Sequence, residues 1–151
     1  MGDSSIARNP TAGRDYHLLE TIEAGIELKG SEVKSLRAHR VNLKDGFARI
    51  EKGQVQLYGL DISPYPQSGR FASDPKRVRR LLLHRAQIAR LDGKLAGGGM
   101  TLVATKLYFK GPRVKVELAL AKRKQLFDKR EAIQKREAAR EISRALKYKR
   151  S

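Results

Sequence analysis

The chain has 151 residues, enough for one folded domain with a terminal extension. It contains no Cys, which excludes disulfides, thiolate zinc sites and cysteine nucleophiles, and no apolar run approaches the roughly 20 residues that span a bilayer. A formal net charge of +17 attracts polyanions, of which nucleic acid is the commonest, and opposes self-association, so we expect a monomer that binds nucleic acid.

Residues 1–13 are small and polar and predict a flexible leader before a folded region at 14–121. Short segments in which apolar and polar residues alternate predict that this region consists mostly of strands. The predicted strands are Tyr16–Glu20, Gly25–Lys29, Phe47–Ile50, Val55–Leu60, Arg79–Leu83, Thr101–Phe109 and Arg113–Ala121. In the last strand Val114, Val116, Leu118 and Leu120 are predicted to face the core, and Lys115, Glu117 and Ala119 to face solvent.

Three short helices are predicted between the strands. They are Ser31–His39 with Ser31 as its N-cap, a segment that begins at Asp74-Pro75, and Arg85–Leu95, which Gly97–Gly99 would stop. About six short strands with few helices favour a mainly β fold, a small closed barrel of the oligonucleotide-binding (OB) type.

Residues 122–151 form a basic C-terminal tail with 12 Lys and Arg against 4 Asp and Glu, a net charge of +8. From Asp128 onward the tail has neither Gly nor Pro and consists mostly of strong helix formers. Its apolar residues are too sparse to form a stripe that could pack on the barrel. We expect the tail to be disordered or partly helical alone and to become ordered on a polyanion.

No set of residues predicts catalysis, a metal site or a cofactor. His17, His39 and His84 lack ligand spacing, and Gly97–Gly99 follows a helix, whereas a phosphate-binding loop precedes one. No segment has the broad apolar face of a helix that lies on a membrane. The absence of Cys suits a reducing cytoplasm, which is the predicted location.

Four arginines surround the apolar run Leu81–Leu83, namely Arg77, Arg79, Arg80 and Arg85. They predict a patch that contacts phosphates, with a solvated strand edge as the alternative interpretation. Among the aromatic residues, Tyr16 and Tyr65 are candidate stacking platforms for bases, and Tyr58, Tyr108 and Phe109 are assigned to the barrel core or rim.

Several short segments occur in the order and spacing of a known family. They are Glu23–Ile26, Gly30–Arg37, Asn42–Asp45, Ile62–Tyr65, Asp74-Pro75 with Arg77, Arg79–Leu83, Leu102-Val103, Lys106–Phe109, Lys115–Glu117 and Asp128–Arg130. Through these segments the chain resembles the SsrA-binding protein family over roughly residues 14–147.

The resemblance implies an OB-like barrel that binds the tRNA-like domain of tmRNA and, with elongation factor Tu, enters ribosomes stalled on messages that lack a stop codon. It implies RNA contacts at Glu23, Leu82 and Lys115, with Glu32, Lys34 and Arg37 as further candidates. A carboxylate can contact RNA only as an acceptor for base amino groups or a 2′-hydroxyl. The alternative for Glu23 is a structural hydrogen bond or ion pair.

The resemblance also implies that the tail enters the empty mRNA channel at the small-subunit decoding centre. Asp128 would favour the start of a helix, and Lys129 and Arg130 would contact ribosomal RNA phosphates. The tail residues assigned to the ribosome are Lys122, Lys124, Asp128, Lys129, Arg130, Lys135, Arg136, Arg140, Ile142, Leu146 and Lys147.

The chain departs from the family pattern at the root of the tail, where Arg123-Lys124-Gln125 replaces the usual Gly-Lys-Lys. Loss of the glycine removes a flexible backbone point. Two other functions are compatible with part of the sequence. One is a ribosomal or ribosome-assembly protein that binds ribosomal RNA, and the other is an RNA-modifying or hydrolytic enzyme, which would need a convergent catalytic set.

Overall fold

The computed structural model describes residues 4–64, 74–124 and 140. Its elements are β1 (Ser4–Arg8), α1 (Ala12–Asp15), β2 (Tyr16–Ile26), α2 (Gly30–Arg37), β3 (Val41–Asn42), β4 (Phe47–Glu51), β5 (Gln54–Tyr58), β6 (Asp61–Ile62), β7 (Arg79–Leu82), α3 (Arg85–Ala96), β8 (Thr101–Lys110) and β9 (Arg113–Arg123). Among the described residues, no helix is both long enough and apolar enough to cross a membrane.

Six antiparallel strands close into a barrel. Their order around the ring is β8-β4-β5-β7-β2-β9, and β9 pairs with β8 to complete the circle. β1 pairs with the second half of β8, beyond the part of that strand that β4 uses, and the short β3 and β6 form a separate two-stranded sheet. The prediction of a mainly β fold with a closed barrel is therefore confirmed.

Aliphatic side chains from the barrel strands fill the core. Fully buried examples are Val55, Leu57, Leu102, Leu107, Val116 and Leu118. α2 and α3 each add one fully buried leucine, Leu36 and Leu91, and Ile88 and Leu95 pack against the same core. The predicted helix over Arg85–Leu95 is thus confirmed, and it continues to Ala96.

The second face of β9 is only partly solvated. Lys115 and Glu117 are half-buried, but Ala119 is fully buried. Ala121, two residues further on, is buried and packs with Ala12 of α1. The prediction that Ala119 faces solvent is wrong, because the segment before β2 folds over this end of the sheet.

The segment predicted as a flexible leader is ordered from residue 4 onward. Ser4–Arg8 form β1, with Ile6 buried, and pair with the part of β8 that β4 leaves free. The leader prediction is wrong because this open stretch of β8 supplies hydrogen-bond partners. The strand predicted at Tyr16–Glu20 and the first two residues of the strand predicted at Gly25–Lys29 belong to one strand, β2, in which the pairing register shifts at Leu19. Glu27–Lys29 lie after β2, and the strand prediction is wrong there.

Two predicted helix starts are wrong. Ser31 is not the N-cap, because α2 begins at Gly30, and the Lys29 backbone N–H donates to Glu32 Oε1 at 2.9 Å. Asp74 begins a turn, since its Oδ1 accepts the Lys76 backbone N–H at 3.0 Å and no helix follows before β7. An aspartate before proline is common both at the start of a helix and at the start of a turn, so the local sequence does not distinguish the two.

The root of the tail belongs to the barrel. β9 continues to Arg123, so the boundary predicted at Lys122 lies inside a strand. Lys124 then binds the region of α1, because its backbone N–H donates to Asp15 O at 2.9 Å and its Nζ donates to Gly13 O at 3.0 Å. The barrel therefore extends to Lys124.

A carboxylate and two guanidinium groups meet inside the protein. Arg79 is 0% exposed and Glu32 is 3% exposed. Glu32 Oε2 accepts Arg79 Nη2 at 2.6 Å, and Glu32 Oε1 accepts Arg77 Nη2 at 2.5 Å. The Arg79 guanidinium also donates to the carbonyl oxygens of Leu60 and Pro75, at 2.8 and 3.1 Å. One side chain thus joins α2, β7, the chain after β5 and the turn before β7.

Glu32 is ionised in this cluster. Burial would raise the pKa of its carboxyl group, but hydrogen bonds from Arg77, the Lys29 backbone N–H and Arg79 outweigh burial and hold the pKa below its ordinary value.

We expect Glu32→Gln to destabilise the fold by about 3–5 kcal/mol, because it leaves the buried Arg79 charge without a counter-ion. Urea unfolding followed by circular dichroism measures the difference. Glu27→Gln is the matched control, since the Glu27–Arg80 pair is 3.7 Å apart and about half exposed, and it should cost about 0–1 kcal/mol. An equal decrease in the free energy of unfolding in the two variants would contradict a special contribution from the buried pair.

The same pair predicts a pH dependence. Because the folded-state pKa of Glu32 lies below its unfolded value, the stability it contributes is fully present above the unfolded pKa. It is lost as the pH falls through the folded pKa. The stability difference between the wild type and Glu32→Gln should therefore shrink below about pH 4, and a difference that stays constant down to pH 2 would rule out this account.

Candidate nucleic-acid interface

A groove of about 710 Å³ lies on the outside of the barrel, where β2 runs between β7 and β9. The three residues that the family resemblance assigns to RNA, Glu23, Leu82 and Lys115, all line it, although each comes from a different strand. The structure therefore brings these three sequence predictions together in one place.

The floor of the groove is a row of residues across three strands. Gly25 of β2 pairs with Leu82 of β7 on one side and with Lys115 of β9 on the other. Leu82 is 46% exposed, so this row presents an apolar side chain to solvent. A Cβ atom at Gly25 would lie 3.2 Å from Leu82 Cβ, so the glycine leaves the space beside Leu82 open. The row offers an apolar surface next to a cation.

Glu23 lies two residues before Gly25 on β2, so it is on the same face of the strand, and it places a negative charge on the groove floor. Glu23 Oε2 accepts a short hydrogen bond from the Tyr108 hydroxyl, and Lys110 Nζ lies 3.2 Å from Glu23 Oε1. The hydrogen bond from Tyr108 and those from Lys110, with the nearby charges of Lys110 and Lys115, hold the pKa of Glu23 below its ordinary value, although burial opposes this. Glu23 is thus an ionised acceptor at neutral pH.

One wall of the groove is tied to helix α3 by charge. Glu20 of β2 accepts Arg90 Nη1 at 2.6 Å and Lys94 Nζ at 2.8 Å. The hydrogen bonds from Lys94 and Arg90 lower the pKa of Glu20. Because all three side chains are substantially exposed, these pairs orient α3 on β2 more than they stabilise the fold.

Sequence reasoning missed several residues of the groove. His84 directly precedes α3, Gln87 and Arg90 lie in the first half of that helix, and Arg113 begins β9. Each is polar or basic and lies beside a predicted element, but the sequence does not give the angle at which α3 crosses β2. The position of these residues could therefore be found only from the fold.

Two of the predicted RNA contacts lie inside the protein. The cluster described above buries Glu32 and Arg79 completely and pairs Arg77 with the same carboxylate. This contradicts the prediction that Arg79 contacts phosphates and that Glu32 contacts RNA, because neither side chain reaches the surface. Arg77 is 25% exposed and its guanidinium is engaged by Glu32.

The other predicted contacts outside the groove are on the surface. Lys34 and Arg37 of α2 are exposed, as is Arg85 at the start of α3. Arg80 of β7 is exposed and lies 3.7 Å from Glu27. Because β7 alternates, Arg79 and Arg80 point to opposite sides of the sheet. Because both residues are arginines, the sequence alone does not show that one is buried and the other exposed.

A second cavity of about 480 Å³ lies beside the root of the tail and is lined by Tyr16, Phe47, Arg49 and Arg123, among others. Phe47 stacks on Tyr58 with ring centroids 5.3 Å apart. The Arg49 guanidinium lies 5.4 Å from the Phe47 centroid and 5.5 Å from that of Tyr58. Tyr16 is half-buried here. The predicted pairing of β4 with β5 was the sequence signal that could have placed Phe47 and Arg49 beside Tyr58.

Most of the predicted tail contacts, and Tyr65, lie outside the described residues. The three that are described are Lys122, which is exposed at the end of β9, Lys124, which binds the α1 region, and Arg140, which is exposed.

The comparisons with known proteins agree on one family. The model of the SmpB protein family matches residues 6–148 of the chain. Similar proteins include the SsrA-binding protein of Carboxydothermus hydrogenoformans, 58% identical over 142 residues, with 94% of this chain and 95% of that protein covered. The SsrA-binding protein of Chloroflexus aurantiacus is 57% identical over 143 residues, with 94% and 89% covered.

A solved structure described as "tmRNA-SmpB: a journey to the center of the bacterial ribosome" contains a chain similar to this one. The TM-score is 0.68 and the sequence identity is 45%, with 86% of this chain and 95% of that chain covered.

Proposed function

The chain belongs to the SmpB protein family, and on this premise we propose that it binds the tRNA-like domain of tmRNA and brings that RNA to stalled ribosomes for trans-translation. The observation that carries the proposal is the groove, in which an exposed leucine, an ionised carboxylate and a lysine from three strands lie side by side. RNA loops offer matching groups, since they expose unstacked bases, amino and hydroxyl donors, and phosphates.

Each residue of the groove has a part in this proposal. Leu82 packs against an unstacked base or a ribose, because it is the exposed apolar side chain on the floor. Glu23 accepts hydrogen bonds from base amino groups or a 2′-hydroxyl, and it repels phosphates. Lys115 and Arg113 contact the phosphates on the side of β9. The exposed Lys34, Arg37 and Arg80 add sequence-independent attraction.

We further propose that the tail from residue 125 onward enters the mRNA channel, with Asp128, Lys129 and Arg130 at its start. The basic composition of residues 122–151 supports contact with ribosomal RNA. The protein is proposed to act as a cytoplasmic monomer, to meet elongation factor Tu on the aminoacylated tmRNA, and to work by binding and positioning without covalent chemistry.

Specific recognition predicts a particular salt dependence. The protein should bind the isolated tRNA-like domain in preference to a ribosomal RNA hairpin of equal length, and the preference should persist at physiological salt, because contacts to shape and bases are screened less than phosphate contacts. Filter binding or fluorescence anisotropy across a salt series measures both affinities. Equal and steeply salt-sensitive binding to the two RNAs would favour a ribosomal or assembly protein instead.

Truncation separates the two proposed activities. A chain that ends after Lys124 keeps β9 and its contacts with Asp15 and Gly13, so it should bind the tRNA-like domain within about twofold of the wild type, a change under about 0.5 kcal/mol. Tagging on stalled ribosomes should be abolished. A chain that ends after Ala121 is the comparison, because it also removes the end of a barrel strand and should lose stability. Loss of RNA binding in the first truncation would contradict this division of labour.

The glycine of the groove floor offers a steric test. Gly25→Ala should lower affinity for the tRNA-like domain by about tenfold, or about 1.4 kcal/mol, because its Cβ would lie 3.2 Å from Leu82 Cβ and would itself occupy the space beside Leu82 that the RNA would use. Gly93→Ala on α3 is the matched control, since its Cβ would meet nothing within 4 Å. Urea unfolding checks that both variants fold, and equal affinities would mean that the floor is not the binding surface.

A further inference from the structure

Tyr108 has a position that core packing alone does not explain. It lies on β8 and is 7% exposed, and it is not among the residues that line the groove. Its hydroxyl nevertheless donates to Glu23 Oε2 on β2, although β9 runs between these two strands. Tyr108 pairs with Lys115 in the β8–β9 register, and Lys115 in turn pairs with Gly25. Directly paired residues project from the same face of a sheet, so the Tyr108 ring lies on the outer face of the barrel, beside the row that forms the groove floor.

The carboxylate that Tyr108 reaches has a repulsive neighbour. Glu23 pairs directly with Glu117 on β9, and like charges at such positions repel. Glu117 is held by the Thr105 hydroxyl at 2.6 Å and lies 3.9 Å from Lys106 Nζ. The Tyr108 hydroxyl and Lys110, at 3.2 Å, hold Glu23 instead. Without them, the Glu23 side chain could turn away from Glu117 and leave the groove.

The hydrogen bonds made by Glu23 leave it able to accept more. A carboxylate has about four lone-pair sites, and Tyr108 and Lys110 approach Glu23 from β8. The remaining sites are available to donors that enter the groove. An acceptor fixed in one orientation selects amino and hydroxyl donors better than one that moves among rotamers, because less entropy is lost when the RNA binds.

We propose that Tyr108 is a positioning residue for RNA recognition, whose hydroxyl fixes Glu23 so that its free lone pairs accept amino or 2′-hydroxyl donors of the RNA. This inference rests on the proposed binding of the tRNA-like domain. It assigns recognition to a residue that does not itself contact the RNA. The Tyr108 ring packs on the sheet whether or not it carries a hydroxyl, so only the hydroxyl acts in recognition.

The test is a double-mutant cycle of Tyr108→Phe and Glu23→Ala. Tyr108→Phe should lower affinity for a transcript of the tRNA-like domain by roughly tenfold, the size of one hydrogen bond to a charged group, and leave affinity for a ribosomal RNA hairpin unchanged. In the Glu23→Ala background, Tyr108→Phe should have no further effect, because the acceptor through which the hydroxyl acts is gone.

Tyr58→Phe is the matched control. Tyr58 also donates its hydroxyl to a glutamate, Glu51, at 2.9 Å, but neither residue lines the groove. This variant should therefore bind the tRNA-like domain as the wild type does. If Tyr58→Phe and Tyr108→Phe weaken binding equally, loss of any tyrosine hydroxyl on the barrel has the same effect and the inference is overturned.

A spectroscopic measurement separates positioning from packing. The groups that face Glu23 are Tyr108 and Lys110 on β8, Lys115, Glu117 and Arg113 on β9, and Glu20, His84 and Arg90 along the groove. Carboxyl NMR of the free protein should show the pKa of Glu23 rising toward its ordinary value in Tyr108→Phe, because only the hydroxyl bond is removed. An unchanged Glu23 titration would overturn the inference.

The outcomes for the inference and for the proposed function are distinct. If the wild type prefers the tRNA-like domain and Tyr108→Phe keeps that affinity, the inference is wrong and the proposed function stands. If Tyr108→Phe weakens binding equally with and without Glu23→Ala, its role is structural and the inference is again overturned. If the wild type shows no preference between the two RNAs, the proposed function fails and the inference fails with it.

Discussion

The buried pairing of Glu32 with Arg79 is the constraint on which the rest of the architecture depends. A guanidinium with 0% exposure is tolerated only because one carboxylate and several backbone carbonyl oxygens satisfy its donors. Those partners come from α2, the chain after β5 and the turn before β7. The pair thus adds directed hydrogen bonds between elements that otherwise contact each other only through apolar packing. It also fixes which residues of β7 point into the barrel.

The outer face of β7 is fixed as a result. With Arg79 and Leu81 directed inward, Leu82 must point outward, beside Gly25 and the groove. The groove on the outside and the ion pair on the inside therefore lie on two sides of one four-residue strand. Adjacent residues of β8 also point to opposite faces. Leu107 packs in the core, whereas Tyr108 bonds Glu23 across β9.

Much of this arrangement followed from the sequence, and the failures have physical causes. Alternation located β4, β5, β8 and β9, because a half-buried strand repeats every two residues. The family resemblance named Glu23, Leu82 and Lys115, and the fold places these three residues in one groove. The inward direction of Arg79 was not predictable, since its partner lies 47 residues away. The strand formed by residues 4–8 was not predicted, because it depends on pairing with the free edge of β8 and not on the local alternation of apolar and polar residues.

The spacing of Arg77 and Arg79 also bears on how accurately the barrel folds. The run Arg79-Arg80-Leu81-Leu82 places one arginine and one leucine on each face, so a slip of one residue would leave the composition of both faces unchanged. A slipped strand could even offer Arg80 to Glu32. It would then place Val78 where Arg77 stands, and the second guanidinium on the carboxylate would be lost. Two arginines separated by one residue thus encode the alignment of a strand whose hydrophobic pattern is ambiguous.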